Sequence, residues 1–309
     1  MSAQLSVIIV NWNGTADTLK CLASVFSTNV TAPKWNVTVV DNGSAIDPTS
    51  EIKSTYPATT LIRLDRNFGF AAACNLGARR ALTNGSNFIL FLNNDTIIEP
   101  DLFARLLASF SANSPTGIAS PIIYDMSDRP QIDYAGGRVN FAFGEFKHRH
   151  QKPATTMPFE TDYISGCCMM ISKAAVDRIG LFDEKLFAYF EDVDLSLRAH
   201  LAGFKLVCVP AGAIRHKGSA SSRRSLREGT TSPLQHYLLA RNRLIVESRY
   251  ASAPAKWFHK LVSNPLRTLY YVTGFIVRGR WTKLRWFLRG IKDGMAQKLE
   301  MPNDLLSGA

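Results

Sequence analysis

Two groups of carboxylates in this sequence have the types and spacing to do chemistry. The first ends an apolar run: in FLNNDTIIEP, residues 91–100, Asn93, Asn94 and Asp95 follow side chains that belong in a core. Polar groups cost free energy in a core unless paired, so the cluster belongs at the end of a buried strand. A carboxylate there suits a hard cation, because Mg2+ and Mn2+ prefer oxygen and take one or two carboxylates plus substrate phosphates. The second group lies in FAYFEDVDLSLRAHLAGF, residues 187–204, where Glu191, Asp192 and Asp194 crowd the first turn of a helix. The helix dipole favours anions there, and capping accounts for Asp194. Glu191 and Asp192 also follow Phe187, Tyr189 and Phe190. An aromatic wall raises a carboxylate's proton affinity, as a general base for an alcohol requires.

Two further stretches bear on these. His216 in AIRHKGSA opens a flexible stretch. A lone histidine is more often incidental, but on a hinge it could complete a metal site. Arg215, Lys217, Arg223, Arg224 and Arg227 would then meet phosphate charge. In LDRNFGFAAACNLGARRAL, Gly69 and Ala71, Ala72 and Ala73 let a helix start approach a ligand closely, and Asn75 projects one turn later. The chain has no GxGxxG and no GxxxxGK[ST], which counts against a dinucleotide dehydrogenase and a P-loop NTPase.

The elements that must position these residues alternate. Short apolar strands over 5–12, 35–44, 59–64 and 87–92 are separated by helical spacing over 15–27, 70–82 and 101–110. That order predicts an α/β fold with a mostly parallel sheet covered by helices on both faces. Ligands bind beyond the carboxyl ends of such strands. Three strands end there in polar clusters, Asn11 with Asn13, Asp41 with Asn42, and Asn93 to Asp95. Ordinary turn chemistry explains any one of them but not all three on one rim. After residue 120 the pattern predicts a hairpin with an exposed loop over 133–153, a helix from about Glu191, and a last strand KLVCVP over 205–210. The stretch 216–233, rich in Ser, Gly and Arg, reads as a mobile basic loop.

With 309 residues, 46% of them hydrophobic, the chain has room for one large domain with an appendage. The five cysteines lack CxxC spacing and read as buried free thiols of a reducing compartment. Residues 1–214 hold 18 Lys and Arg against 20 acids, whereas residues 215–298 hold 18 against 3. The basic third thus has a separate role. Its two or three helices mix Trp, Phe, Tyr and Leu with Arg and Lys, and its best apolar run, TLYYVTGFIV, has ten residues. That is too short to span a bilayer but suits an anionic membrane surface. A dimerisation helix pair, giving a homodimer, and a nucleic-acid patch compete with that reading. Nothing in the first 214 residues requires nucleic acid.

The segments VIIVNWNG, VVDNGS, RNFGFAAACNLG, FLNNDTIIEP, SGCCMMISKAAVDRIGLFDEKLFAYFEDVDLSLRAHLAGF and IRHKGSAS, in this order, resemble the family 2 inverting glycosyltransferases of GT-A fold, in particular bacterial rhamnosyltransferase-like members. The resemblance covers residues 5–220. It implies a GT-A catalytic domain over 1–232, with a donor half over 1–120 and an acceptor and base half over 121–220, followed by a basic helical region over 234–309. It implies that Asp41 contacts the donor nucleoside, that Asp95 is the last acid of a DXD-type metal motif, and that Asp192, beside Glu191, is the catalytic base. It further implies that His216 is a second metal ligand, and that Asn11, Asn13, Asn67, Gly69, Asn75 and Asn94 line the donor pocket. The family's divalent cation, Mg2+ or Mn2+, would then rest on Asp95, His216 and the donor diphosphate, because Asn93 stands where many such motifs have Asp. The implied activity moves a sugar, such as L-rhamnose from dTDP-rhamnose, to a polyprenyl-pyrophosphate-linked glycan at the cytoplasmic face of the cell membrane. The alternative is a non-catalytic nucleotide-sugar or membrane-binding protein on the same fold, which would have no use for the Glu191-Asp192 pair.

Overall fold

A computed structural model describes residues 4–29, 34–110, 115–218 and 231–302. They sort into two compact units. One comprises Met1–Arg138, His148–Glu184 and Glu191–Gly218, the other Val139–Lys147, Lys185–Phe190 and Ser219–Ala309. Two short stretches from the middle of the chain therefore group with the C-terminal helices.

The first unit is a mixed sheet with helices on both faces. Its parallel half is β1 (Gln4–Asn11), β2 (Lys34–Asp41), β3 (Thr60–Arg63) and β4 (Phe88–Asn93), in spatial order β3-β2-β1-β4. These strands are linked by α1 (Thr15–Phe26), α2 (Thr49–Thr55) and α3 (Phe70–Thr83). Near-continuous Val, Ile and Leu let the strands bury both faces. Leu5, Val7 and Ile9 pack on the α1 side with Leu22 and Val25, while Ile8 and Val10 face the alanines of α3. Parallel register sets Asn11 beside Asp41 and Val10 beside Asn93, so the polar strand ends share one rim.

Beyond β4 the direction changes. After β5 (Thr96–Ile98), α4 (Leu102–Ala108), β6 (Thr116–Asp125) and β7 (Ile132–Tyr134) come the ribbon strands β8 (Gly137–Asn140) and β9 (Glu145–His148), then β10 (Phe159–Glu160). β11 (Cys168–Ser172) then runs antiparallel to both β4 and β6. It is followed by α5 (Lys173–Ile179), α6 (Glu191–Leu201) and β12 (Lys205–His216). β12 is longer than its sequence predicts. A register shift between Val209 and Ala213 absorbs Pro210, which cannot donate to the ladder. The strand then continues to His216, paired with Thr96 of β5 and Asp125 of β6. His216 is thus the last residue of a strand rather than part of a hinge. All five cysteines are free and buried.

The second unit is built on α7 (Pro233–Tyr250), α8 (Ala253–Phe258), α9 (Asn264–Val277) and α10 (Trp281–Met295). A single π-helical segment, His259–Ser263, joins α8 to α9. Pro265 in the first turn of α9 removes a helical donor, and the wider turn before it accommodates the loss. Phe275 and Phe287 pack with Ala240. No helix among the described residues is long and apolar enough to cross a membrane. Residues 219–230, which hold Arg223, Arg224, Arg227 and most of the expected basic loop, lie outside the described residues.

Candidate active site

The rim at the ends of β1, β2 and β4 is a closed hydrogen-bond network. Asp41 is fully buried, accepts from Asn11 Nδ2 at 2.7 Å and from the Ser44 hydroxyl, and has the Arg63 guanidinium 3.8 Å away. Asn11 Oδ1 accepts from Thr18 of α1 at 2.8 Å. Asn13, with φ 53°, is exposed and accepts Ala45 N at 2.9 Å. Next to it, the amide of Asn42 holds the loop before α3: it donates to Asn67 Oδ1 at 2.9 Å and accepts Phe68 N at 3.0 Å. Asn67 Oδ1 also accepts Gly69 N at 2.9 Å. Gly69 has φ 93°, a conformation that costs glycine nothing and other residues a great deal. It lets the loop turn straight into α3.

Two residues expected to face the donor are spent on the protein itself. Asn75, 2% exposed, donates to Phe182 O and Glu184 Oε1, both at 2.9 Å, and accepts Phe182 N at 3.1 Å. Its amide ties α3 to the loop that approaches α6. The expectation fails because helix periodicity gives a side chain's face but not its partner. Asn94 Nδ2 donates to Thr18 Oγ1 at 3.0 Å and to Gly14 O at 3.3 Å, bracing the start of α1.

Asp95 and His216 do meet. The imidazole Nε2 lies 3.2 Å from Asp95 Oδ1, and Nδ1 lies 3.9 Å from Asp133 Oδ2. Burial alone would lower the proton affinity of His216. The Cys167 sulfur and the Asp133 and Asp95 carboxylates outweigh it and raise that affinity well above the ordinary value. The same histidine lowers the pKa of Asp133. The anionic groups around the ring thus favour positive charge at this spot, held by the proton of His216 or by a cation that displaces it. Among the described residues no cluster of three or more His, Cys, Asp or Glu side chains forms a complete cation cage. A carboxylate and an imidazole at adjacent strand ends fit a divalent cation that takes its remaining ligands from a diphosphate. Lys217, expected to meet phosphate, is 3.0 Å from Asp17.

Glu191 and Asp192 open α6. Asp192 is half-buried; its Oδ2 accepts Gly166 N at 2.9 Å and its Oδ1 accepts Val193 N at 2.8 Å. Burial raises its pKa, and the amide of Gly166 works against that rise. Glu191 is 6% exposed, and its Oε2 has no hydrogen-bond partner. Burial, then the Asp192 charge, then Asp194 push its pKa well up. The two carboxylate clusters share the rim. Asn93 N donates to Cys167 O at 2.9 Å, and the residue before Cys167 is the Gly166 that holds Asp192. Between the clusters, Asp133 faces His216, and His148 Nδ1 lies 3.2 Å from Asp133 O. The ring of His148 also interacts with the Asp192 charge.

Asp133, His148, Gly166 and Thr18 are the members of this arrangement that motif reading misses. Asp133 and His148 come from a stretch without periodic apolar spacing, and their signal exists only once β7 pairs with β6. In the second unit, Phe187, Tyr189 and Phe190 have φ of 67°, 66° and 70°. Left-handed conformations at such residues cost about 1–3 kcal/mol each.

A model described as Glycosyl transferase family 2 matches residues 6–180. The chain is 26% identical over 309 residues to N-acetylglucosaminyl-diphospho-decaprenol L-rhamnosyltransferase of Mycobacterium tuberculosis, covering 92% of this chain and 98% of that one. It is 26% identical over 251 residues to dTDP-rhamnosyl transferase RfbF of Shigella flexneri, 80% of each. O-antigen biosynthesis protein RfbC of Myxococcus xanthus is 24% identical over 225 residues, which make up 70% of this chain but 17% of that protein. Among solved structures, GalNAc-T7 with UDP, GalNAc and Mn2+ superposes with a TM-score of 0.68 at 18% identity, over 97% of this chain and 59% of that one. At that identity the likeness shows the GT-A fold.

Proposed function

The chain belongs to glycosyl transferase family 2, and from that premise we propose that it is an inverting glycosyltransferase carrying L-rhamnose from dTDP-rhamnose to a hydroxyl of a polyprenyl-pyrophosphate-linked glycan, in surface-polysaccharide synthesis. One observation carries the reading. Asp192 hangs from Gly166 N, one residue from the Cys167 carbonyl that receives Asn93 N, and this nearness to the strand end before Asp95 supports reading Asp192 as a base and Asp95 with His216 as cation ligands. The names of the relatives in Mycobacterium tuberculosis and Shigella flexneri support the sugar, the nucleotide and the lipid-linked acceptor.

In this reading Asp192 takes the proton of the acceptor hydroxyl, and that oxygen displaces the nucleotide from the opposite face of the anomeric carbon. One displacement inverts the configuration and needs no enzyme nucleophile. The two backbone amides on Asp192 fix its oxygens, while its raised pKa makes it a stronger base than an exposed aspartate. Burial and the neighbouring Asp192 charge favour the protonated form of Glu191, which limits repulsion between the two carboxyl groups. Asp95 and His216 would hold the divalent cation, which when bound neutralises charge on the leaving diphosphate. Asp41, Asn11, Asn13, Asn42 and the residue 67–69 loop shape the nucleoside end, with Asn75 and Asn94 bracing that frame from behind. The test is thermal stabilisation by a panel of nucleotide sugars with and without Mn2+. dTDP-L-rhamnose is expected to raise the melting temperature most, and only with the cation. Equal responses to all nucleotide sugars would remove the donor assignment.

The helices of the second unit supply the membrane contact. Trp257, Leu266, Leu269, Tyr270, Val277 and Trp281 are exposed among Arg and Lys, a composition suited to an anionic interface at headgroup depth. Full-length protein is expected to float with anionic vesicles and not with neutral ones. Unchanged flotation of Leu266→Glu with Tyr270→Glu would contradict this contact.

A further inference from the structure

The segment leading into Glu191 and Asp192 has a conformation that its own residues do not favour. Phe187, Tyr189 and Phe190 all have positive φ, and none of them is glycine or asparagine. Bulky side chains stay in that region only where their surroundings over-determine them, and such residues collect at functional sites. The surroundings here belong to α7. Asn242 Nδ2 lies 2.8 Å from Leu186 O, 2.9 Å from Ala188 O and 2.7 Å from Tyr189 O. Its Oδ1 accepts Arg241 Nε at 2.8 Å, and Arg241 Nη2 reaches Lys185 O at 3.0 Å and Leu186 O at 3.2 Å. Both side chains are fully buried, with the guanidinium over the Tyr237 ring at 5.4 Å. Phe187 packs against Tyr237 and Leu238. Buried donors at this density are costly unless matched, and the carbonyls of residues 185–189 match them.

We infer that Asn242, set in place by Arg241, is a positioning residue for the reaction: it fixes the backbone of residues 186–189 and so limits where Asp192 can stand. The inference rests on Asp192 acting as base. Asp192 is only three positions after Tyr189, a reach of about 11 Å when fully extended. Releasing the carbonyls would let the strained residues relax toward negative φ and carry Asp192 with them. A displacement of about 1 Å from reacting geometry is worth on the order of a hundredfold in rate.

The experiment measures dTDP release from dTDP-L-rhamnose with a short-chain polyprenyl-diphospho-N-acetylglucosamine acceptor, normalised to molecules able to bind dTDP. Asn242→Ala is expected to lower kcat at least thirtyfold, leave the Kd for dTDP within twofold, and move the acid limb of the kcat profile to lower pH. Hydrogen exchange in a peptide covering residues 185–192 should accelerate while peptides of β1 and β4 stay unchanged. Adding Tyr189→Gly, which removes the Cβ penalty at that φ, should recover at least threefold of the lost rate. If Asn242→Ala does not fold, Asn242→Asp, of the same shape but without the donors, is measured in the same way. A variant with unchanged kcat and acid limb per dTDP-binding molecule overturns the inference, as does one whose dTDP affinity falls as far as its kcat. Failure of the underlying reading shows separately, as an Asp192→Asn enzyme that still transfers.

Discussion

Replacing Asp192 by Asn separates the chemical role of this side chain from its structural one. Both carboxylate oxygens accept a backbone N–H, from Gly166 at 2.9 Å and Val193 at 2.8 Å. An amide has one oxygen, so one of those donors would face an NH2 group, at a cost of about 1–3 kcal/mol. Against this, burial already disfavours the ionised carboxylate, and the neutral amide escapes that penalty. The two effects oppose each other, so the melting temperature should shift by only a few degrees. Catalysis has no such compensation. A positioned general base is worth about 10²–10⁴ in rate, or roughly 2.7–5.5 kcal/mol in the barrier, and the amide cannot take a proton. The assay is dTDP release with acceptor at saturating donor, alongside dTDP affinity by calorimetry. We expect a loss of at least a hundredfold in kcat with dTDP affinity within twofold. In the wild type, the raised pKa places the acid limb of kcat above the usual aspartate value of about 3.9, because the base is lost as pH falls through its folded-state pKa. A variant within tenfold of wild type, or one retaining that limb, would refute Asp192 as the base.

Other outcomes follow from the same geometry. Asp95→Ala should abolish the Mn2+-dependent gain in dTDP affinity in calorimetry, so that titrations with and without Mn2+ coincide. Glu191→Gln should melt progressively higher than wild type as pH rises. The wild-type acid has its pKa raised in the folded state, so its contribution is full below the unfolded value and is lost as pH climbs through the folded one; the amide has nothing to lose. Gly43→Ala should weaken dTDP binding at least tenfold. Its φ of 75° costs other residues about 1–2 kcal/mol, and the new Cβ would stand 2.3 Å from the Arg66 backbone, displacing the residue 65–69 loop.

The sequence made the parallel half of the sheet readable because each strand there is a short apolar run ended by a turn, and those turns carried Asn11, Asp41 and Asp95. Parallel register does the rest, setting Asn11 against Asp41 without any signal beyond strand order. The helix that starts at Glu191 was readable from acids crowded behind aromatics. Asn75 was legible as a helical residue but not as the clamp on Phe182, because its partner lies more than a hundred positions away and no local pattern encodes it. β12 outran its apparent end because a bulge hid the continuation past Pro210. Asp133 and His148 stayed invisible for the same reason in reverse: their strands are too short for periodicity to show, and only pairing with β6 and the ribbon brings them to His216 and Asp192. The left-handed residues before Glu191 have no sequence signature, since Phe and Tyr are the wrong residues for that conformation, and the buried amide that holds them is fifty residues downstream.

The most direct measurement is the anomeric configuration of the transferred sugar, read by proton NMR on product formed from dTDP-L-rhamnose. A single displacement driven by Asp192 gives a linkage opposite in configuration to that of the donor. A product that keeps the donor's configuration would contradict it.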